Sequence, residues 1–73
     1  MLSSRNRQRE RFAPRYRVVC EVNGQVHYGT YWVAGNILTV STGRGGKSRQ
    51  LGARRPETLA KHMLVSLALE GKA

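Results

Sequence analysis

A chain of 73 residues with a single cysteine closes no internal disulfide and holds no zinc-binding pattern, and four acidic residues leave little for paired-carboxylate catalysis. Thirteen Lys and Arg set against those four acids give a net charge of +9 and a pI near 11.2, the balance of a protein that meets a polyanion. No apolar run approaches the roughly 20 residues that span a bilayer, and no apolar stretch follows the first arginines as a secretory signal requires.

The first fourteen residues, MLSSRNRQRERFAP, are almost devoid of apolar side chains and repeat arginine at Arg5, Arg7, Arg9 and Arg11. Such a segment buries too little surface to offset the ordering of its backbone, so residues 1–14 are expected to form a disordered basic tail. A single small domain is expected over residues 15–71. Its size alone makes it marginal, because a domain this short buries only about 60% of its unfolded surface. A second chain is the expected extra support.

From Arg15 the pattern becomes alternating. RYRVVCEV sets Tyr16, Val18, Cys20 and Val22 on one face and Arg15, Arg17, Val19 and Glu21 on the other, which is the period of a strand. Asn23-Gly24 follows and is the strongest short hairpin signal, because both central positions of a type I′ turn need φ > 0. QVHYGTYWV is the second strand, with Val26, Tyr28, Thr30 and Trp32 opposite His27, Gly29, Tyr31 and Val33. Tyr16, Val18, Tyr28 and Trp32 are assigned to the core. Arg17, His27, Tyr31 and Thr39 are assigned to an exposed face that would stack on and neutralise nucleic acid, or else form a solvated face or a dimer interface.

Ala34-Gly35-Asn36 supplies another turn, and ILTVST a third strand. STGRGGKS, residues Ser41 to Ser48, then approaches a phosphate-binding loop. It ends in Gly46-Lys47-Ser48, but Ser41 stands where the first glycine of that motif belongs, and RQLGARRP behind it is no helix. The reading is a basic hairpin loop leading into a short, basic fourth strand, KSRQL, at a sheet edge.

Pro56 suits a first helical position, Glu57 suits the first turn, and Leu59, Ala60, Met63, Leu64, Leu67 and Ala68 form one stripe ahead of a stop at Gly71. A helix over Pro56–Leu69 is expected. Val65 and Leu69 lie off the main stripe, and a second chain is expected to pack there. The fold class is α+β: an antiparallel meander of three or four strands with one C-terminal helix packed on one face.

The charge is not spread evenly. Residues 1–17 carry six arginines and one glutamate, net +5, and residues 44–55 carry Arg44, Lys47, Arg49, Arg54 and Arg55 with no acid, again +5. The candidate phosphate-contacting set is therefore Arg5, Arg7, Arg9, Arg11, Arg15 and Arg17 with that second block. His27, His62 and Cys20 fall in no catalytic arrangement, and Cys20 shares a face with apolar residues, so structural roles are expected for all three.

The stretch SRQLGARRPETLAKHM, residues 48–63, joins a basic last strand ending in Leu51-Gly52 to a helix that starts acidic and contains Leu59-Ala60. It resembles the strand-ending Leu-Gly and following helix of the arm-site-binding domains of phage and transposon integrases and of the plant ethylene-response-factor DNA-binding domain. The likeness in layout spans residues 15–70. It implies that the exposed sheet face enters the DNA major groove, with Arg17, Tyr31, Lys47 and Arg49 as the contacts by position. The chain departs from these families in having an extra strand-like segment, fewer sheet-face arginines and no tryptophan-glycine motif.

Two functional readings follow. In the first, this is a cytoplasmic nucleic-acid-binding protein, favouring DNA over RNA, with no cofactor, metal, membrane or small-molecule substrate and no enzymatic activity. In the second, it is a dimerising protein-interaction module that uses Val65, Leu69 and a sheet edge and ignores nucleic acid.

Overall fold

The computed structural model describes residues 13–73. The disorder expected of the tail therefore lies outside the described residues, apart from Ala13 and Pro14. Strands β1 (Tyr16–Val22), β2 (Gln25–Ala34), β3 (Ile37–Ser41) and β4 (Gly46–Gln50) form one antiparallel sheet in the order β1-β2-β3-β4, and helix α1 (Pro56–Leu69) packs on one face of it. This is the α+β meander expected from the sequence, with the fourth strand formed.

The turns set the register. Asn23 (φ 54°) and Gly24 (φ 79°) are both left-handed, as a type I′ turn requires, and the two-residue loop places Val22 opposite Gln25. Gly35 (φ 62°) and Asn36 make a second two-residue loop that places Ala34 opposite Ile37, with only the first position at positive φ, the pattern of a type II′ turn. Because directly opposed residues share a face, the first hairpin groups Tyr16 with Tyr31, Val18 with Gly29 and Cys20 with His27.

That grouping overturns part of the sequence reading. Tyr31, expected on the exposed face, is 9% exposed and belongs to the core, whereas Tyr28 and Tyr16, both expected in the core, are 59% and 51% exposed. Trp32 and Val26 lie on Tyr28's side of the pleat, and His27 lies on the helix side. Gly29 gives the physical reason. A Cβ on Gly29 would stand 3.2 Å from Leu64 Cδ1 and 3.2 Å from the Ser41 carbonyl oxygen, so the helix beds down where β2 has no side chain. The core is Val18, Cys20, Tyr31, Leu38 and Val40 from the sheet against Leu59, Ala60, Met63, Leu64 and Leu67 from α1.

α1 begins with Pro56 after an extended Arg55, carries Glu57 in its first turn, and ends in a Schellman motif. There Gly71 is left-handed (φ 75°), its N–H reaches the Ala68 carbonyl at 3.1 Å, and the Lys72 N–H reaches the Leu67 carbonyl at 2.8 Å. Val65 is half-buried and packs on the chain's own core, while Leu69 is 69% exposed. The pair expected to bind a second chain therefore stands in two environments, Val65 against the core and Leu69 in solvent.

Candidate nucleic-acid interface

The face of the sheet away from α1 is uncovered among the described residues. Arg15, Arg17, Val19 and Glu21 stand along its first row, Val26, Tyr28, Thr30 and Trp32 along the second, and Ile37, Thr39 and Ser48 beyond. The strand period that sends Val18 and Tyr31 inward sends these residues outward. Val19 and Tyr28 are exposed directly opposite each other there, Val26 is exposed two residues along β2, and Ile37 is exposed separately at the far end of the face.

Two arginines lie on this surface over aromatic rings. The Arg15 guanidinium carbon is 4.1 Å from the centroid of Trp32, and that of Arg17 is 6.0 Å from the centroid of Tyr28. Arg15 sits directly across from Trp32 in the continued β1–β2 ladder, and Arg17 is diagonal to Tyr28, the two spacings at which cross-strand side chains meet. A guanidinium over a ring keeps its charge and its hydrogen-bond donors turned outward, so each pair offers a flat surface and a cation together. On the far rows the Thr39 and Ser48 hydroxyls bond each other at 2.9 Å. β1 begins at the Arg15–Trp32 end, and Arg5, Arg7, Arg9 and Arg11 precede it in the sequence.

The remaining basic residues do not share that face. Val40 opposite Lys47 and Leu38 opposite Arg49 are fully buried under the helix, so Lys47 and Arg49 point to the helix side of β4. Lys47 is bound there: its Nζ donates to Glu70 Oε2 at 2.6 Å and to Ser66 Oγ at 2.8 Å. Arg49 lines the same seam with His62 and Ser66. Arg44 is exposed in the β3–β4 loop, and Arg54 and Arg55 are exposed in the turn before α1. Of the four contacts that the resemblance implies, only Arg17 stands on the open face. Tyr31, Lys47 and Arg49 are turned toward α1, because the register of both hairpins assigns their positions to the covered side.

The glycine-rich loop also declares its role. Thr42 Oγ1 accepts the amides of Arg44 at 3.1 Å and Gly45 at 3.0 Å, and the Thr42 amide donates to the Gly45 carbonyl at 2.7 Å. Thr42 Oγ1 also donates to the Lys72 carbonyl, tying the loop to the end of the helix. A phosphate-binding loop must keep its amides unoccupied for the anion. Here two of them are already spent on a side chain, and β4 rather than a helix follows.

Burial pushes the Cys20 thiol above its ordinary pKa against a weaker opposing effect of Lys61, so it remains a thiol packed in the core. Burial likewise raises the Tyr31 hydroxyl, with the Glu57 carboxylate and Tyr16 adding to the shift. Among the described residues no three His, Cys, Asp or Glu side chains gather as a metal site would require, and no helix is long and apolar enough to cross a membrane. Trp32 and Tyr28 are the open-face residues that the sequence reading misassigned. The signal for them was the Asn-Gly turn itself, since a two-residue hairpin obliges Val18 to share a face with Gly29 and not with Tyr28.

Comparison with protein-family models, curated proteins and solved structures found no match for the chain.

Proposed function

We propose that the chain is a small nucleic-acid-binding protein that uses the open face of its sheet as a stacking surface and its arginines as phosphate contacts. The observation that carries this reading is the Arg15 guanidinium seated on Trp32, on the same open face as an exposed Tyr28 with Arg17 over it. Bases stack on exposed aromatic rings whatever their sequence, and cations along the same surface follow the backbone. Arg44, Arg54 and Arg55, exposed in the segments on either side of β4, add to the field that draws a polyanion in.

Fluorescence polarisation with labelled single-stranded and duplex DNA and RNA over a salt series tests the reading. Log K should fall linearly with log salt, by about 0.9 per phosphate contacted on a duplex and about 0.7 on a single strand. Stacking on Tyr28 and Trp32 favours the single strand. Absence of binding to all of these nucleic acids at low salt would remove the proposal.

A further inference from the structure

We propose that the chain dimerises through β1, a second copy pairing antiparallel with it across Val19 so that two four-stranded sheets become one. The inference stands apart from the nucleic-acid reading and can hold or fail without it. β1 lies first in the sheet order, and its outer edge has no strand beside it among the described residues. The type I′ turn makes Val22 and Gln25 a hydrogen-bonded pair, so by alternation Tyr16, Val18 and Cys20 also spend their backbone groups on β2. The N–H and C=O of Arg17, Val19 and Glu21 are therefore the ones that point outward.

Sheet edges are normally protected by shortness, proline, bulges or charge of one sign. The far edge, β4, is five residues long and carries Lys47 and Arg49. β1 is seven residues long, contains no proline, and carries one cation and one anion instead. Their placement is what matters. Arg17 and Glu21 lie two residues on either side of Val19, and Val19 is the central residue of Tyr16–Val22.

An antiparallel pairing with Val19 on the two-fold axis overlaps the whole strand. It sets each Arg17 opposite the other copy's Glu21, twice, as hydrogen-bonded pairs built from the outward-pointing groups. On the helix side Tyr16 meets Val22, while Val18 and Cys20 come opposite each other already buried under α1. Moving the axis to Arg17 or to Glu21 shortens the overlap and sets like charges opposite each other. Glu21 has no ion pair among the described residues, and Val19 is 38% exposed at this edge. The symmetric patch is self-complementary in the way that an isologous interface requires. Both helices would stand on one side, and the two open faces, each with its Arg15–Trp32 pair, would form one continuous surface.

The test uses the full chain freed of nucleic acid by nuclease treatment, so that no polyanion bridges two copies. Sedimentation equilibrium should show a dimer. Arg17→Glu and Glu21→Arg should each weaken dimerisation at least tenfold, and the double exchange, which restores opposite charges across the axis and preserves net charge, should recover it to within about threefold. A second measurement does not depend on how well those variants fold. In a Cys20→Ala background, Val19→Cys should be joined to its counterpart by a short bismaleimide, since the paired Cα atoms would lie about 5.5 Å apart. Arg17→Cys, about 14 Å from its counterpart in this register, should not be joined. A monomeric wild type, a dimer indifferent to both charge reversals, or equal cross-linking at positions 17 and 19 would overturn the proposal.

Discussion

The two faces of the sheet carry equal numbers of aromatic rings but differ in what surrounds them: Arg17, Glu21, Thr30 and Thr39 on the open face, Val18, Cys20, Leu38 and Val40 on the covered one. Each carries two aromatic residues, Tyr16 and Tyr31 on one and Tyr28 and Trp32 on the other, with valines among them. On the covered face the buried Tyr31 ring packs against Tyr16, 5.3 Å between centroids, with Tyr16 half out in solvent at the sheet's first strand, while the helix leaves Leu38, Val40, Leu59, Leu64 and Leu67 almost no accessible surface. On the open face the rings support arginines. Within β2 hydrophobicity alone does not choose the face, since Val26, Tyr28 and Trp32 stand against Tyr31 and Val33. Two things decide it: β1 and β3 send Arg17, Glu21 and Thr39 to the open side and Val18, Cys20, Leu38 and Val40 to the other, and Gly29 opens a hollow that admits Leu64.

The most damaging way to break the covered face is to empty it. Leu64→Ala removes a fully buried side chain and should cost about 2–5 kcal/mol, enough to unfold much of so small a domain. Urea unfolding followed by far-ultraviolet circular dichroism measures it, and a loss below about 0.5 kcal/mol would place Leu64 outside the core. Gly29→Ala tests the hollow itself. The new methyl meets both a side chain that can yield and a backbone carbonyl that cannot, so a cost of about 1–3 kcal/mol is expected. If Gly29→Ala is neutral or stabilising, close approach of the helix has no part in deciding the face.

Much of this fold was legible in the sequence, and the part that was not has a definite cause. Pro56, Glu57 and Gly71 bracket the helix because each meets a backbone requirement at its own position, and the element runs Pro56–Leu69 as those residues dictate. The strands and turns were legible for the same reason. The facing of β2 was harder because period two reports that a strand has two faces without saying which is buried, and both of these faces were apolar. Counting across the Asn23-Gly24 turn would have resolved it. Lys47 and Arg49 were legible as a pair on one side of β4, but which side depends on the register across the loop from Ser41 to Gly46. The capture of the Arg44 and Gly45 amides by Thr42 is a hydrogen-bond fact that no residue pattern displays. Arg17 and Arg15 were found from charge alone, whereas the rings beneath them were not.

The open face should answer to a different experiment. Tyr28→Ala should leave stability within about 1 kcal/mol, because the ring is exposed and loses little more than its contact with Arg17. If bases stack there, the same change should weaken binding to a single strand by about 1–3 kcal/mol while leaving the salt slope alone, since no phosphate contact is lost. Tyr31→Phe, which keeps the ring of the covered face and removes only its hydroxyl, should not alter binding. Equal effects of the two substitutions on affinity would erase the functional distinction between the faces.

The smallest expected effect lies at the seam between β4 and α1, where Lys47 holds Glu70. The hydrogen bond from Lys47 holds the Glu70 carboxyl below its ordinary pKa against the opposing effect of desolvation, and the charge of Lys47, the Ser66 hydroxyl and Lys72 add to the depression. A carboxyl depressed in the folded state stabilises the fold above its unfolded value of about 4.3, and that contribution is lost as pH falls through the lower folded value. Wild type should therefore be the more stable of the pair with Glu70→Gln near neutral pH, and this part of its advantage should fade on acidification. Thermal melts across that range check the sign. The pair also limits what Lys47 can offer a polyanion. Arg44→Ala should lower the salt slope of nucleic-acid binding by about one contact. Lys47→Ala should lower it by less, because the lysine already has an anion. If Lys47→Ala removes more of the slope than Arg44→Ala, then Lys47 leaves Glu70 when nucleic acid arrives, and the helix side of β4 takes part in binding.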